Sequence, residues 1–227
     1  MTFAQTLDRF LILARELWSS QGVWILALSA FAGLLYLLPD AAAVPLGFAN
    51  VLALAALAVF WLRVAAAEGS LDAAAFEGKD PEWLVYLGVV LGVFTIFAAL
   101  ALVSMLPIII TPLFGVVSMF IWFVLVLLLV LYEPVVYVEA EGFGDAMAKT
   151  WALLRRFERR EVLLEARFWY PFLLGLAAAL PQFFLPEKGF AAAVGNFLVA
   201  LVQIPWFVAQ LIVLYENIWH SHKVAIK

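Results

Sequence analysis

From Trp83 to Tyr132 not one residue carries a charge. As one helix that run would be about 75 Å long, rising 1.5 Å per residue, against a hydrocarbon core of about 30 Å. It therefore has to be two membrane spans, and it has to break. "LPIIITP" (Leu106–Pro112) supplies the break, because proline removes a backbone donor and biases the preceding residue away from helix. A tight turn is the first reading of that segment and a re-entrant dip the second, since "IIIT" is apolar for an exposed loop.

The same argument applied to the whole chain predicts an all-α, polytopic membrane protein of one domain, residues 1–227. Its spans are about Trp18–Leu38, Val44–Val64, Trp83–Leu106, Leu113–Tyr132, Phe168–Leu185 and Phe190–Tyr215, each near the twenty apolar residues a spanning helix needs. Barrel strands would alternate polar and apolar residues, and these runs are apolar on every face. The breaks "PDAAAVP" (Pro39–Pro45) and "PEKG" (Pro186–Gly189) are short, so the six spans read as three antiparallel hairpins closed on one side. Composition agrees: 67% of residues are hydrophobic and 13% charged, where soluble domains carry about 25% charged. The N-terminus lacks the basic stretch of a cleaved signal, so the first span is expected to be retained.

Charge placement predicts orientation. Of 13 Lys and Arg, only Lys188 falls on the hairpin-turn side. The rest lie in the tails and in the segments after spans 2 and 4. Lys/Arg-rich segments face the cytoplasm, so both termini are expected there, in a bacterial inner membrane. Trp18, Trp61, Trp83, Tyr132, Trp169, Tyr170, Tyr215 and Trp219 fall near the same interface, where amphipathic rings settle.

Two segments read as amphipathic helices on that face. In residues 3–17, Leu7, Leu11, Ala14 and Trp18 form one stripe. In residues 145–160, Met147, Trp151 and Leu154 form another, flanked by Lys149, Arg155, Arg156, Arg159 and Arg160. A helix of this kind commonly lies in the headgroup layer, each cation near an anionic leaflet contributing about 1 kcal/mol. Lys149, Trp151, Arg155, Arg156, Arg159 and Arg160 are thus the candidate residues for binding anionic lipid or a protein partner. The plainer alternative is a topology anchor without a ligand. Echoes between segments ("VLYE" at Val130–Glu133 and Val213–Glu216; A-E-G-x-x-D-A-x-A at Ala67 and Ala140; "FAQTLDRFLILAR" against "FGDAMAKTWALLR") suggest a loose unit used three times, an amphipathic segment followed by two spans.

"PVVYVEAEGFGDAMAKTWALLRR" (Pro134–Arg156) resembles a pattern in uncharacterised six-span bacterial and archaeal membrane proteins. It is similar to the membrane region fused to some glycerophosphodiester phosphodiesterases. The matching residues are Pro134, Glu141, Gly142, Ala146, Thr150, Trp151 and Arg155, in a motif that covers about a tenth of the chain. The resemblance implies a membrane module of unknown activity. The phosphodiesterase domain is not among these residues, so none of its catalysis carries over.

The chemistry on offer is sparse. Cysteine is absent, which excludes thiolate chemistry. His220 and His222 are too few for a structural metal site. No phosphate loop, H-E-x-x-H, G-x-S-x-G or nucleotide fingerprint is present. No cofactor and no nucleic-acid partner are expected, and no enzymatic activity. Glu133 and Glu216 at span ends, with Asn196, Gln203 and Gln210 in the Pro205-broken last span, form the candidate ion or solute path of a small transporter or channel subunit. Against it stand the absence of charge at any span centre and the packing role that buried amides usually have. Gly88-x-x-x-Gly92 allows close helix approach, more simply inside the protein than in a homo-oligomer. The favoured expectation is a non-enzymatic structural or interaction module that binds lipid or a protein partner.

Overall fold

The computed structural model describes residues 2–66, 81–108, 133–153 and 165–225. The described residues are all-helical, without strands. Helix α1 spans Phe3–Leu34 and ends in a 3-10 turn, Leu35–Leu37. Helix α2 is Asp40–Ala66 and α3 is Glu82–Ile108. Residues 133–139 form a short helix, α4. Then come α5 (Phe143–Leu153), α6 (Ala166–Ala179), continued as 3-10 helix over Leu180–Phe184, and α7 (Phe190–Ala225). Four of these, α1, α2, α3 and α7, are long and apolar enough to cross a membrane. The predicted span Leu113–Tyr132, the turn after Ile108, the "AEGSLDAAA" echo and Arg155–Arg160 lie outside the described residues.

The predicted fifth span, Phe168–Leu185, falls on one helical run, Ala166–Phe184. Pro181 cannot donate to the α-helical ladder, and the chain tightens to 3-10 geometry at Leu180–Phe184. That geometry rises about 2.0 Å per residue against 1.5 Å in α-helix. Ala166–Phe184 therefore reaches about 31 Å with fewer residues than an α-helix needs.

The helix expected over residues 3–17 is present and leads into the first span across a kink at Gln21 (φ −125°, ψ 16°). Thr2 and Gln5 close its start as a capping box. The predicted stripe is not the face that packs on protein. Thr6, Phe10, Leu13 and Leu17 are buried, while Leu11 and Trp18 are exposed. In lipid an apolar stripe need not face protein; the packed face is the one that fits its neighbour.

That neighbour is α7, antiparallel to α1 along its length. At one end the Arg9 guanidinium grips Glu216, Nη2–Oε1 2.5 Å and Nε–Oε2 3.3 Å. Phe10 meets Trp206 at 5.2 Å between ring centroids. Towards the other end a Cβ on Gly33 would sit 2.6 Å from the Ala193 carbonyl oxygen, so the helices close together only because that residue is glycine. There, Gly189 (φ +97°) donates its N–H to Tyr36 O, and Lys188 pairs with Asp40 at 2.6 Å. The turns between α1 and α2 and between α6 and α7 thus share one end, the Lys188 end. Arg9, Arg63, Glu82 and Glu216 share the other, the Arg9 end.

"VLYE" at Val213–Glu216 does not stop its helix. Val213, Leu214 and Tyr215 are buried, and α7 continues to Ala225. The Arg9–Glu216 pair is partly exposed, 36% and 26%, and such pairs contribute about 1 kcal/mol or less. A double-mutant cycle with Arg9→Gln and Glu216→Gln is expected to give a coupling of about 1 kcal/mol in thermal unfolding, screened by salt. No measurable coupling would mean that the pair does not fasten α1 to α7.

Helix α5 packs along α3, with Trp151 exposed. Its small face, Ala146 and Thr150, is fully buried against Gly88 and Gly92 of α3, and the two helices run parallel. The glycine pair is an internal packing seam. The paired segments "FAQTLDRFLILAR" and "FGDAMAKTWALLR" each open a helix on Phe (Phe3, Phe143) and bury the residues three and seven further on, Thr6 with Phe10 and Ala146 with Thr150.

Candidate functional site

The proposed lipid-binding set on α5 is only partly available. Lys149 is committed within the protein, its ammonium 2.7 Å from Asp145 Oδ2 and 2.6 Å from Glu139 O. Trp151 is exposed, but its indole N–H donates to Thr95 Oγ1 at 3.0 Å. Asp145 also accepts from Glu141 N at 3.0 Å, fixing the chain just ahead of the helix. The hydrogen bond from Lys149 holds the Asp145 carboxyl below the usual carboxylate range, against the opposing effect of partial burial. Its contribution to stability is therefore present at neutral pH and is lost as pH falls through that lowered value.

The structure does not bring the proposed path residues into one line. Glu216 is held by Arg9. Glu133 accepts a hydrogen bond from the Tyr137 hydroxyl, in a separate cluster where Tyr137 stacks on Tyr86 at 6.3 Å. Asn196 is buried and turns back on its own helix, donating to Ala192 O at 2.8 Å. Gln203 and Gln210 do meet, in a cavity of about 360 Å³ between α2, α6 and α7 with Ala32 of α1 at its edge. Asn50 of α2 and Gln182 of the 3-10 segment complete the set of amides around it.

Each amide arrives there for a local reason. Three rungs tie α6 to α7: Trp206 Nε1 to Leu174 O (3.0 Å), Gln203 Nε2 to Ala178 O (2.9 Å) and Gln182 Nε2 to Gln203 Oε1 (2.9 Å). Gln203 is thus used twice by the protein itself. Gln210 lies flat over Gly175, where an added Cβ would fall 2.1 Å from its Oε1. Asn50 Oδ1 is buried with no hydrogen-bond partner among the described residues. The cavity therefore combines apolar walls (Leu54, Ile204, Phe207, Ala179) with neutral donors and acceptors, and no charged side chain among the described residues lines it.

No family model, curated protein or solved structure matches this chain. Its chemistry rests on its own geometry. Among the described residues, no group of three or more His, Asp or Glu side chains could hold a metal ion. Asn50 and Gln182 were visible in the sequence as polar residues within spans but carried no sign of convergence, because they come from distant segments. Arg9 and Arg63 were visible only as topology charges. Yet Arg63 is 3% exposed and donates to Tyr137 O and Ala140 O, both at 3.0 Å, which ties α4 to the Arg9 end of α2.

Proposed function

We propose that the protein is a non-enzymatic, multi-pass membrane protein that binds a lipid-like amphiphile in the amide-lined cavity between α2, α6 and α7. The single observation that carries this reading is the cavity itself. About 360 Å³ lies within the range of small-ligand sites, which are mostly apolar with a few placed polar groups. With amides and no charges around it, the polar part of the ligand is uncharged, a hydroxyl, ester or amide. The apolar part is covered by a surface already suited to lipid, since Leu176, Leu180, Phe183 and Phe184 of the α6 segment and Val202 and Phe207 of α7 are exposed.

This reading keeps six spans in three hairpins, with the Arg9 end towards the cytoplasm of the inner membrane. The grounds are the segregation of Lys188 from the other cations and the shared end of two turns. It moves lipid binding from the α5 surface to the α6–α7 groove. The transport alternative retains only Gln203 and Gln210 of its five residues in one cavity.

Asn50→Leu with Gln210→Leu tests the proposal while leaving the Gln203 rungs intact. Interhelical amide contacts in membranes contribute about 0.6–2 kcal/mol each, so the pair is expected to lower occupancy by about tenfold. The measurement is native mass spectrometry of lipid retained after gentle extraction. Equal retention by the variant would reject the site. Solute flux in liposomes that vanishes in the same variant would instead favour the transport reading.

A further inference from the structure

A second cleft lies at the Arg9 end, about 320 Å³ in volume, between α1, α2 and α7. Leu13, Leu17, Val64 and Ile212 give it an apolar wall. Arg9, Glu16 and Trp61 give it a polar one. It is separate from the amide cavity and shares no lining residue with it.

The charges at this cleft are unequal. Arg9 is engaged by Glu216 through Nε and Nη2, which leaves Nη1 without a partner. Glu16 is exposed and makes no ion pair among the described residues. Among the described residues the lining charges are Arg9 and Glu16, and Arg9 is already neutralised by Glu216, so a cation is attracted beside Glu16 and a purely anionic headgroup is not. Among the described residues two donors have no acceptor, Arg9 Nη1 and the buried indole N–H of Trp61. An unmatched buried donor costs about 1–3 kcal/mol, a cost that a ligand oxygen would remove once the indole turns to meet it.

We infer that this cleft binds a zwitterionic headgroup: an ammonium beside Glu16, a phosphate or ester oxygen against the free edge of Arg9 and the indole N–H of Trp61. The apolar wall takes the start of the acyl chains, so the occupant is a lipid. The inference rests on the membrane reading but not on the amide cavity. It also reverses the charge preference expected from the basic α5 segment, because that segment's described cation, Lys149, is already paired.

The test uses the full chain in nanodiscs holding equal amounts of an ethanolamine-headed and a glycerol-headed phospholipid with the same acyl chains. Retained lipid is read by native mass spectrometry. The wild type is expected to keep the ethanolamine lipid about fivefold over the glycerol lipid, the ratio of one exposed ion pair. Glu16→Gln should bring that ratio near one without changing helix content. Trp61→Phe, which removes the N–H together with part of the indole ring, should lower occupancy by either lipid. Asn50→Leu with Gln210→Leu should leave the ratio untouched, so failure of one site is distinguishable from failure of the other. Equal retention by the wild type, preference for the glycerol lipid, or an unchanged ratio in Glu16→Gln would overturn the inference. Displacement of the bound lipid by free phosphoethanolamine would assign the cleft to a soluble zwitterion and overturn the lipid part of it.

Discussion

Arg63→Met is expected to destabilise the protein by about 3 kcal/mol, more than any other single change among its cations. The guanidinium is 3% exposed, and its Nε and Nη2 donate to the carbonyl oxygens of Tyr137 and Ala140. Those carbonyls belong to the last turn of α4 and the residue after it, which no intrahelical N–H satisfies. A cation there also meets the negative end of the helix dipole. Methionine fills much of the volume but supplies neither donor, which strands two acceptors in a place where Ala140 is fully buried. Hydrogen bonds to a charged group contribute about 1.5–3 kcal/mol each. Relief of the guanidinium's own desolvation offsets part of that loss. Nη1 lies 3.7 Å from Glu82 and makes no hydrogen bond, so Glu82→Gln should cost far less, about 0.5 kcal/mol. Lysine reaches one carbonyl rather than two, and Arg63→Lys should fall between the wild type and Arg63→Met. The measurement is thermal unfolding in one detergent across the series. An Arg63→Met protein as stable as wild type would show that this guanidinium is solvated and that α4 is held by other contacts.

Arg63 also shows where the sequence stops being informative. As a charge at the end of an apolar run it marks a boundary, and the runs themselves set α2, α3, the end of α1 and the start of α7 within a few residues, while α1 begins earlier and α7 ends later than the apolar runs do. Its partners are 74 and 77 residues away, and nothing local points to them. The packed faces were illegible for a different reason. In water the buried face is the apolar one, so a hydrophobic stripe identifies it. In lipid every face is apolar, and contact is set by small and polar residues that allow backbones to approach. Thr6, Ser29, Gly33, Gly88, Gly92, Thr150 and Asn196 mark those contacts, while the stripes through Leu11 and Trp151 point outward. Gln203 and Gln210 were visible as candidates because two amides in one span are conspicuous. That Asn50 and Gln182 join them is a consequence of α2 and the 3-10 end of α6 flanking the same face of α7.

The seam between α3 and α5 makes the second large effect. Leucine at both Gly88 and Gly92 is expected to detach α5 from α3. A Cβ on Gly88 would lie 2.4 Å from the Phe143 carbonyl oxygen and 2.9 Å from Ala146 Cβ. One on Gly92 would lie 2.9 Å from Thr150 Cβ. The first contact is with backbone, which cannot rotate away, so even alanine at Gly88 forces the helices apart. Overpacking of this kind costs about 1–3 kcal/mol per site, and both sites act on the same helix. Separation also exposes Thr150, whose hydroxyl already bonds Ala146 O at 2.8 Å, and pulls the Trp151 indole from Thr95 Oγ1. Gly92→Ala, which presses on side-chain carbons and lies 3.3 Å from the Met147 carbonyl, should be milder than Gly88→Ala. That order, Gly88→Ala worse than Gly92→Ala and the double leucine worst, follows from the geometry rather than from glycine content. A cysteine pair at Thr95 and Trp151, which meet across the seam at its exposed end, gives the structural readout: crosslinking should fall with the same order in the substituted proteins. If the double leucine variant crosslinks as well as the unsubstituted pair and unfolds at the same temperature, α5 does not rest on these glycines.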